Sequence, residues 1–484
     1  MEKNTIVINR RTQVFSKEFE VNGDVIVPDI KPDILSIINS NGNVYVYRED
    51  IAKGRVRIDG NLDTYTIYLS DSGETRSIGN TLNFSESFED SKIDENSTIK
   101  SKVYLQNIEA KALNERKISI KAILKVRVEV FAKEEVEIGI DFEDNENNCE
   151  MQKLQEHIDT KTLVGTNKVK TSIKEDISVD SSYDVAEILK VSVQISNLEN
   201  KISINKVLAK ADANVKILFL AEDWRIGTAE ATIPVMSFID LEGVNENQEC
   251  DVQYFMRNML FKINSKEMHS IACQIDFEVC LEVYENKAFD VVQDIYGIHN
   301  QIDFNNRNIL VPINSNSLDK ISISEKFIVE DVLNIYDVQK TVNRIKGSEC
   351  ELILKIYYEA DSKNGLNIKE IKIPFIAKSS DDDIDFEIVN EQFTINGEYV
   401  DCSMEILCKK PQNEYKNMNI IENIEVKDLS QDEDYKMYMY FVKAGDTVWN
   451  IAKRFRVKME DIIALNELEN PDRINVGDRL FIMR

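Results

Sequence analysis

The residues best placed to bind a partner lie near the carboxyl end of the chain, within 440–484. Polar side chains occur there beside predicted turns, and an indole lies next to an apolar stripe. Tryptophans at the edge of such a stripe are frequent hot spots of binding, although packing inside the domain explains Trp449 equally well. The polar residues fit turn formation and helix capping at least as well as binding. The candidate partner-binding residues are Asp446, Thr447, Val448, Trp449, Ile463, Asn466 and Leu468.

Catalytic motifs are not recognisable in the rest of the sequence. There is no glycine-rich phosphate loop, no His-Glu-x-x-His and no Gly-x-Ser-x-Gly. The histidines are His157, His269 and His299, too scattered for an evident zinc site. A Cys–His nucleophile pair formed by chance is the alternative. We therefore predict a protein that is not an enzyme and uses neither a cofactor nor a metal.

A proline-rich segment near the amino end offers paired carboxylates. Asp29 and Asp33 lie in Val27-Pro-Asp-Ile-Lys-Pro-Asp, and two carboxylates this close could serve acid–base chemistry. Pro28 and Pro32 instead favour a rigid turn, because each fixes its own φ and holds the preceding residue extended. Asp33 would then cap a short helix or precede a strand that starts at Ile34. We favour this structural interpretation.

The elements that must position the candidate binding residues are legible in the same carboxyl-terminal segment. Val448, Ile451, Ala452 and Phe455 recur at helical spacing behind a Gly445-Asp-Thr turn. A short β-prone run precedes this helix. A second helix should end near Asn466, and the final strand should cover 480–482. This βααβ pattern resembles a LysM domain, a docking module without catalytic machinery. The resemblance implies that the ligand is a partner protein or a peptidoglycan or chitin oligomer.

Composition limits the classes of function. The chain has 484 residues and a net charge of −27, which argues for several domains and against nucleic acid or anionic membranes as partners. Its seven cysteines are odd in number and form no Cys-x-x-Cys pair, as expected in a reducing compartment. The sequence shows no signal-peptide pattern and no long apolar run, so we expect a cytoplasmic protein without membrane insertion.

The larger part of the chain is predicted to be mainly β, as tandem sandwich-like repeats. Val/Ile/Tyr/Thr alternations such as Lys125-Val-Arg-Val-Glu-Val-Phe are typical of half-buried strands. A gapless alignment pairs the segment starting at Ile51 with that starting at Ile204, and Val128 with Leu281. Three repeats in an elongated body are expected. The predicted domains are 1–145, 155–292 and 300–425, then an acidic linker at 426–438 and the LysM domain at 439–484.

The whole architecture resembles the SipL-like family of spore-coat morphogenetic proteins. The Val-Pro-Asp-x-Lys-Pro-Asp motif of the first repeat and the terminal LysM domain carry this resemblance. It implies a scaffold of spore-coat assembly in the mother-cell cytoplasm, docked on a SpoIVA-like coat ATPase at the forespore surface. An exported protein that binds peptidoglycan or chitin oligomers is the second hypothesis. A cell-wall hydrolase targeted by its LysM domain is the third.

Overall fold

The computed structural model describes residues 2–142, 150–264, 269–313, 319–361, 365–378, 384–409, 414–428, 436–471 and 473–484. Strands dominate this part of the chain, and the described helices are two short ones near the carboxyl end. The predicted mainly-β class with a small βααβ domain is confirmed.

Six strands form the first unit of the fold, and they are β1 (Glu2–Ile26), β2 (Ile34–Ala52), β3 (Arg55–Ser70), β4 (Thr75–Glu89), β5 (Thr98–Asn114) and β6 (Lys117–Asp141). One sheet has the order β2-β3-β4 and the other β1-β6-β5, all antiparallel. The two sheets enclose one apolar core. Alternate residues of β6, from Ile118 to Val130, point into that core, as the period-2 pattern requires.

The second unit repeats this arrangement with β7 (Met151–Ser178), β8 (Val185–Ser203), β9 (Lys206–Ala221), β10 (Ile226–Asp240), β11 (Glu249–Ile263) and β12 (Ser270–Gly297). Arg55 and Lys206 begin corresponding strands, whereas the gapless alignment paired Arg55 with Leu208. That part of the alignment is therefore wrong by two residues. Alternation has a period of two, so such a shift keeps every buried position buried and leaves no trace in the pattern.

The third unit has the same strand order in a shorter form, with β13 (Asn300–Ile313), β14 (Asp319–Ile328), β15 (Val332–Lys346), β16 (Glu349–Ala360), β17 (Leu366–Ile376), β18 (Asp385–Asn396), β19 (Tyr399–Lys409) and β20 (Glu414–Asp428). Its sheets are β14-β19-β18 and β15-β16-β17. Strands β13 and β20 pair with each other outside these two sheets and extend the β11-β12-β7 sheet of the second unit, where Ile313 pairs with Thr160. The domain boundaries given above stay predictions.

Each unit thus consists of a head, formed by its two three-stranded sheets, and a two-stranded stalk. The stalks pair 2–10 with 132–141, 151–163 with 284–297, and β13 with β20. Register shifts at Arg11/Gln13 and at Val283/Tyr284 separate the first two stalks from their heads. The three stalks pack together in a cluster that we call the hub: Ile6, Ile8, Val136, Ile138, Ile158, Val291, Ile309, Val311, Met418 and Ile420.

The heads also meet one another, at a second cluster that we call the head junction. Lys190 of the second unit forms an ion pair with Asp337 of the third, and both side chains are largely buried. Tyr357 of the third unit accepts a hydrogen bond at 2.8 Å from Asn39 of the first. The units therefore lie side by side, and the expected elongated body is not observed. The apolar members of the junction are Ile67, Leu189, Leu218, Leu220, Ile226, Tyr336, Tyr357 and Leu366.

The carboxyl-terminal domain has the order βααβ, with β21 (Met437–Phe441), α1 (Val448–Phe455), α2 (Met459–Leu465) and β22 (Arg479–Met483). The two strands pair antiparallel. Val448, Ile451 and Ala452 of α1 are buried against the sheet and α2, as the helical spacing predicts.

Candidate functional site

The start of α1 places Asp446 and Thr447 in structural contacts. Thr447 is the N-cap residue, and its hydroxyl accepts a hydrogen bond from the backbone N–H of Asn450 at 3.1 Å. The Asp446 carboxylate accepts bonds from the backbone N–H of Lys443 and from the Tyr440 hydroxyl, and these bonds lower the pKa of Asp446. Thr447 is exposed, so it combines capping with access to solvent.

The end of α2 places the other polar candidate, Asn466, in a bridge. Its carboxamide donates to the carbonyls of Ile462 and Phe481, and its oxygen accepts from the N–H of Phe481 at 2.6 Å. Asn466 thereby ties α2 to β22. Ile463 and Leu468 are partly buried against the domain core, to which Val448 belongs. The partner-binding role assigned to these residues stays a prediction.

Trp449 contacts the rest of the protein. Its indole N–H donates to the Asp294 carboxylate at 2.8 Å, and its ring lies edge-on to Tyr296 with centroids 5.0 Å apart. Both partners belong to β12, in the second stalk. Only 7% of the Trp449 surface is exposed. The sequence offered packing within the domain or a free binding surface, and the structure shows Trp449 in the apolar cluster of the LysM domain and also packed against the stalk.

Further contacts hold the LysM domain on the second stalk. The Tyr296 hydroxyl donates to the Val457 carbonyl at 2.7 Å, and burial raises the pKa of this phenol. Lys453 binds Asp294, and Lys458 pairs with Glu150, which raises the pKa of that amine. Lys458 is the N-cap residue of α2, but its side chain makes no capping hydrogen bond, because an ammonium group has no acceptor for a backbone N–H. We call this contact between the LysM domain and the second stalk the docking face: Trp449, Lys453, Val457 and Lys458 on the domain, and Glu150, Asp294 and Tyr296 on the stalk side.

The docking face was not found from the sequence. Asp294 and Tyr296 lie far from the LysM domain along the chain and carry no motif. No spacing rule links a tyrosine in a β-strand to a tryptophan in a distant helix. A signal was present only in Trp449 itself, a large apolar residue at the edge of the helical stripe.

The carboxylates of the proline-rich segment have a structural role. The Arg116 guanidinium donates to the carboxylates of Asp33 at 2.7 Å and Asp29 at 3.3 Å, and also to the carbonyls of Val27 and Lys31. One cation thus fixes the loop and neutralises both acids. The segment after Asp33 is strand β2, so of the two expected continuations of the rigid turn the strand is observed, and Asp33 caps no helix.

The histidines and thiols show no catalytic arrangement among the described residues. His157 bonds to Asp290 and His269 to the Tyr183 carbonyl, at 2.8 and 2.9 Å. Burial raises the pKa of Cys273 to about 12 and that of Cys402 to about 11, which disfavours the nucleophilic thiolate. No group of three metal-ligating side chains occurs within the described ranges. None of the helices there is long and apolar enough to cross a membrane.

Comparison with protein-family models finds two kinds of domain in the chain. The SipL, SPOCS domain matches twice, at 33–113 and 184–264, and the LysM domain matches at 440–482. The first two matches cover β2 to β5 and β8 to β11, the corresponding parts of two heads. Searches of curated proteins and of solved structures found no match.

These matches confirm the resemblance in its order and topology, two SPOCS domains followed by a LysM domain. Neither family is catalytic. SipL-type domains together with a LysM module indicate a sporulation-associated protein with a ligand-binding end. The LysM domain indicates binding of a ligand such as peptidoglycan or a protein.

Proposed function

We propose that this protein is a non-enzymatic scaffold of spore-coat assembly that docks through its LysM domain onto a protein partner. The partner would be a SpoIVA-like coat ATPase, met in the mother-cell cytoplasm at the forespore surface. Two SPOCS heads joined to a LysM domain are the observation that supports this proposal. The heads would supply the body of the scaffold, and the LysM domain its attachment.

The docking face adds a mechanical argument. A LysM domain anchored on the second stalk by Trp449 and Lys458 is held at a fixed place on the body. Binding to a partner would then orient the three heads as well as tether them, because the anchored domain has lost most of its freedom relative to the stalk. A scaffold needs this property, whereas a targeting module on a flexible linker does not.

A binding titration tests the proposal. Purified coat ATPase is titrated with the full chain and with a chain ending at Asp428. We expect binding by the full chain and its loss in the shortened one. Equal affinity of the two chains would contradict docking through the LysM domain. Circular dichroism of the shortened chain checks that the heads remain folded.

The second candidate is binding to peptidoglycan or chitin oligomers. The LysM match favours it, and the exposed Thr447 hydroxyl offers one polar contact to a sugar. Muropeptides and chitin oligomers therefore serve as rival ligands in the same titration. Incubating the chain with peptidoglycan tests the hydrolase hypothesis, for which we expect no released fragments.

A further inference from the structure

The face of the LysM sheet that points away from the helices is apolar and exposed. In a strand, alternate residues share a face, and here the outward residues are all methionine or phenylalanine except Arg479. Between 40% and 64% of the surface of each of these apolar residues is exposed. Contiguous exposed apolar residues of this kind mark interaction sites. We call this surface the outer LysM face: Met437, Met439, Phe441, Phe481 and Met483.

The two edges of this sheet differ. Lys436 and Arg484 exchange both backbone hydrogen bonds, each at 3.0 Å. In an antiparallel pair such mutual bonds recur at every second residue, so Met437, Met439 and Phe441 turn their N–H and C=O groups away from β22. On the opposite edge, the N–H and C=O of Phe481 are both bound by the Asn466 carboxamide. The β22 edge is therefore closed by a side chain.

The β21 edge is open. Among the described residues, no hydrogen bond reaches the outward backbone groups of Met437, Met439 or Phe441. Proteins usually protect exposed edges with proline, charged residues or bulges. The strand Met-Tyr-Met-Tyr-Phe has none of these, and its pairing with β22 contains no register shift. An unprotected edge beside an apolar face fits the addition of another strand.

Charge at the rim indicates what kind of segment would fit. Arg484 lies at one end of the sheet, and Arg479 lies at the other, with its guanidinium 5.7 Å from the Phe441 ring. Antiparallel pairing with β21 of a second copy would bring the Arg484 end of one sheet toward the Arg479 end of the other, which is unfavourable because like charges meet. A segment with acidic residues at its ends would be attracted by Arg484 at one end and by Arg479 at the other.

We propose that β21 receives an extended segment of the protein partner as a third strand. The segment would carry apolar side chains at alternate positions, continuing the outer LysM face, and Asp or Glu at its flanks. This inference rests on the proposed docking of the LysM domain onto a protein and names the surface used. Methionine side chains suit such a surface, because they adapt to varied partners. The described stalk contacts come from Trp449, Lys453, Val457 and Lys458, none of which belongs to β21, so we expect the stalk contact to persist.

Hydrogen exchange of the full chain tests this directly, with the coat ATPase as the probe. We expect the amides of Met437, Met439 and Phe441 to exchange rapidly in the free chain and slowly in the complex. The amides of Tyr438 and Tyr440 already bond to β22 and are the internal control. Binding that leaves the three outward amides unprotected would overturn the inference while leaving the proposed function intact.

Substitutions at Met439 separate the edge from the face. Met439→Gln keeps the N–H and removes the apolar side chain, whereas Met439→Pro also removes the donor. Proline is tolerated where an edge N–H faces solvent, so both variants should fold, which circular dichroism checks. We expect Met439→Gln to weaken the affinity for the ATPase. Met439→Pro should weaken it by a further factor of about 2–10, which corresponds to the loss of one hydrogen bond.

Thr447→Asp is the contrasting variant, since the exposed Thr447 belongs to the binding surface predicted from the sequence and Asp keeps an N-cap acceptor. Loss of binding in Thr447→Asp, with wild-type affinity in both Met439 variants, would overturn the β21 inference and retain LysM docking. If the wild-type chain does not bind the ATPase at all, the proposed function fails, and the inference fails with it.

Discussion

The hub and the head junction join the same three units by different chemistry. The hub is made of ten buried aliphatic or methionine side chains from the three stalks. The head junction combines a buried ion pair, Lys190 with Asp337, and a hydrogen-bonded tyrosine, Tyr357, with apolar residues. Apolar contacts are non-directional, whereas a buried charge is tolerated only opposite its partner. We infer that the hub supplies most of the association and the head junction fixes how the heads meet.

The ion pair of the head junction gives the largest expected effect. Burial lowers the pKa of Lys190, and the Asp337 carboxylate opposes this shift. Asp337→Leu leaves the amine buried without its partner, which should cost roughly 3–5 kcal/mol of unfolding free energy. Adding Lys190→Met removes the stranded charge, so the double variant should recover most of the loss. Urea unfolding measures the stability of the single and of the double variant. A double variant as unstable as the single one would contradict our inference that the ion pair fixes how the heads meet and adds little stability.

A polar substitution in the hub should have the next largest effect. Val291 is fully buried where the stalks meet. Val291→Asn loses apolar burial and leaves an amide without assured partners, at a cost of about 3 kcal/mol. Ala288→Asn on the same strand is the matched control, since Ala288 is exposed and should tolerate the change. Similar urea midpoints for the two variants would show that the hub contributes little to association.

The Tyr357 hydroxyl tests the polar part of the head junction alone. Tyr357→Phe keeps the ring and its packing and removes the contacts with Asn39 at 2.8 Å and Gln339 at 3.2 Å. Each of the two lost hydrogen bonds is worth about 0.5–1.5 kcal/mol, so the variant should be destabilised by about 1–3 kcal/mol. Thermal unfolding reports the change. A stability equal to that of the wild type would mean that these bonds exchange for water without loss.

The smallest expected effect concerns His157 on the second stalk. Its hydrogen bond to Asp290, opposite on β12, raises the pKa of the imidazole. A raised folded-state pKa stabilises the protein below the unfolded value of about 6.5, and this contribution disappears as the pH rises through the folded pKa. An NMR titration of His157 should give a pKa above that of the unfolded chain. Asp290→Asn should remove most of the elevation, and an unchanged titration would exclude this pair as its cause.

Local patterns made much of this fold predictable. The LysM helices follow from the spacing of Val448, Ile451 and Ala452, and strand alternation indicated the β-rich body. The hub and docking face could not be predicted, because they join residues distant along the chain, such as Tyr296 and Trp449. The register between repeats was missed by two residues for a physical reason, since period-2 patterns are blind to even shifts.

The candidate site was predictable only in part. Thr447 and Asn466 were recognised as turn and cap residues, and the structure gives both such roles. The outer LysM face could not be predicted from the sequence, because Met-Tyr-Met-Tyr-Phe has no alternation of apolar and charged residues that would distinguish its two faces. Which of its two faces the helices cover emerges only from packing, where Tyr438 and Tyr440 contact Phe455 and leave the methionines outside.

The most direct test of the central claim compares two ligands on one protein. The full chain is titrated with purified coat ATPase and, separately, with peptidoglycan oligomers under the same buffer. The proposed scaffold predicts saturable binding of the ATPase and an affinity for the oligomers at least about a hundredfold weaker, a difference of about 2.8 kcal/mol in binding free energy. Tighter binding of the oligomers than of the ATPase would contradict the account.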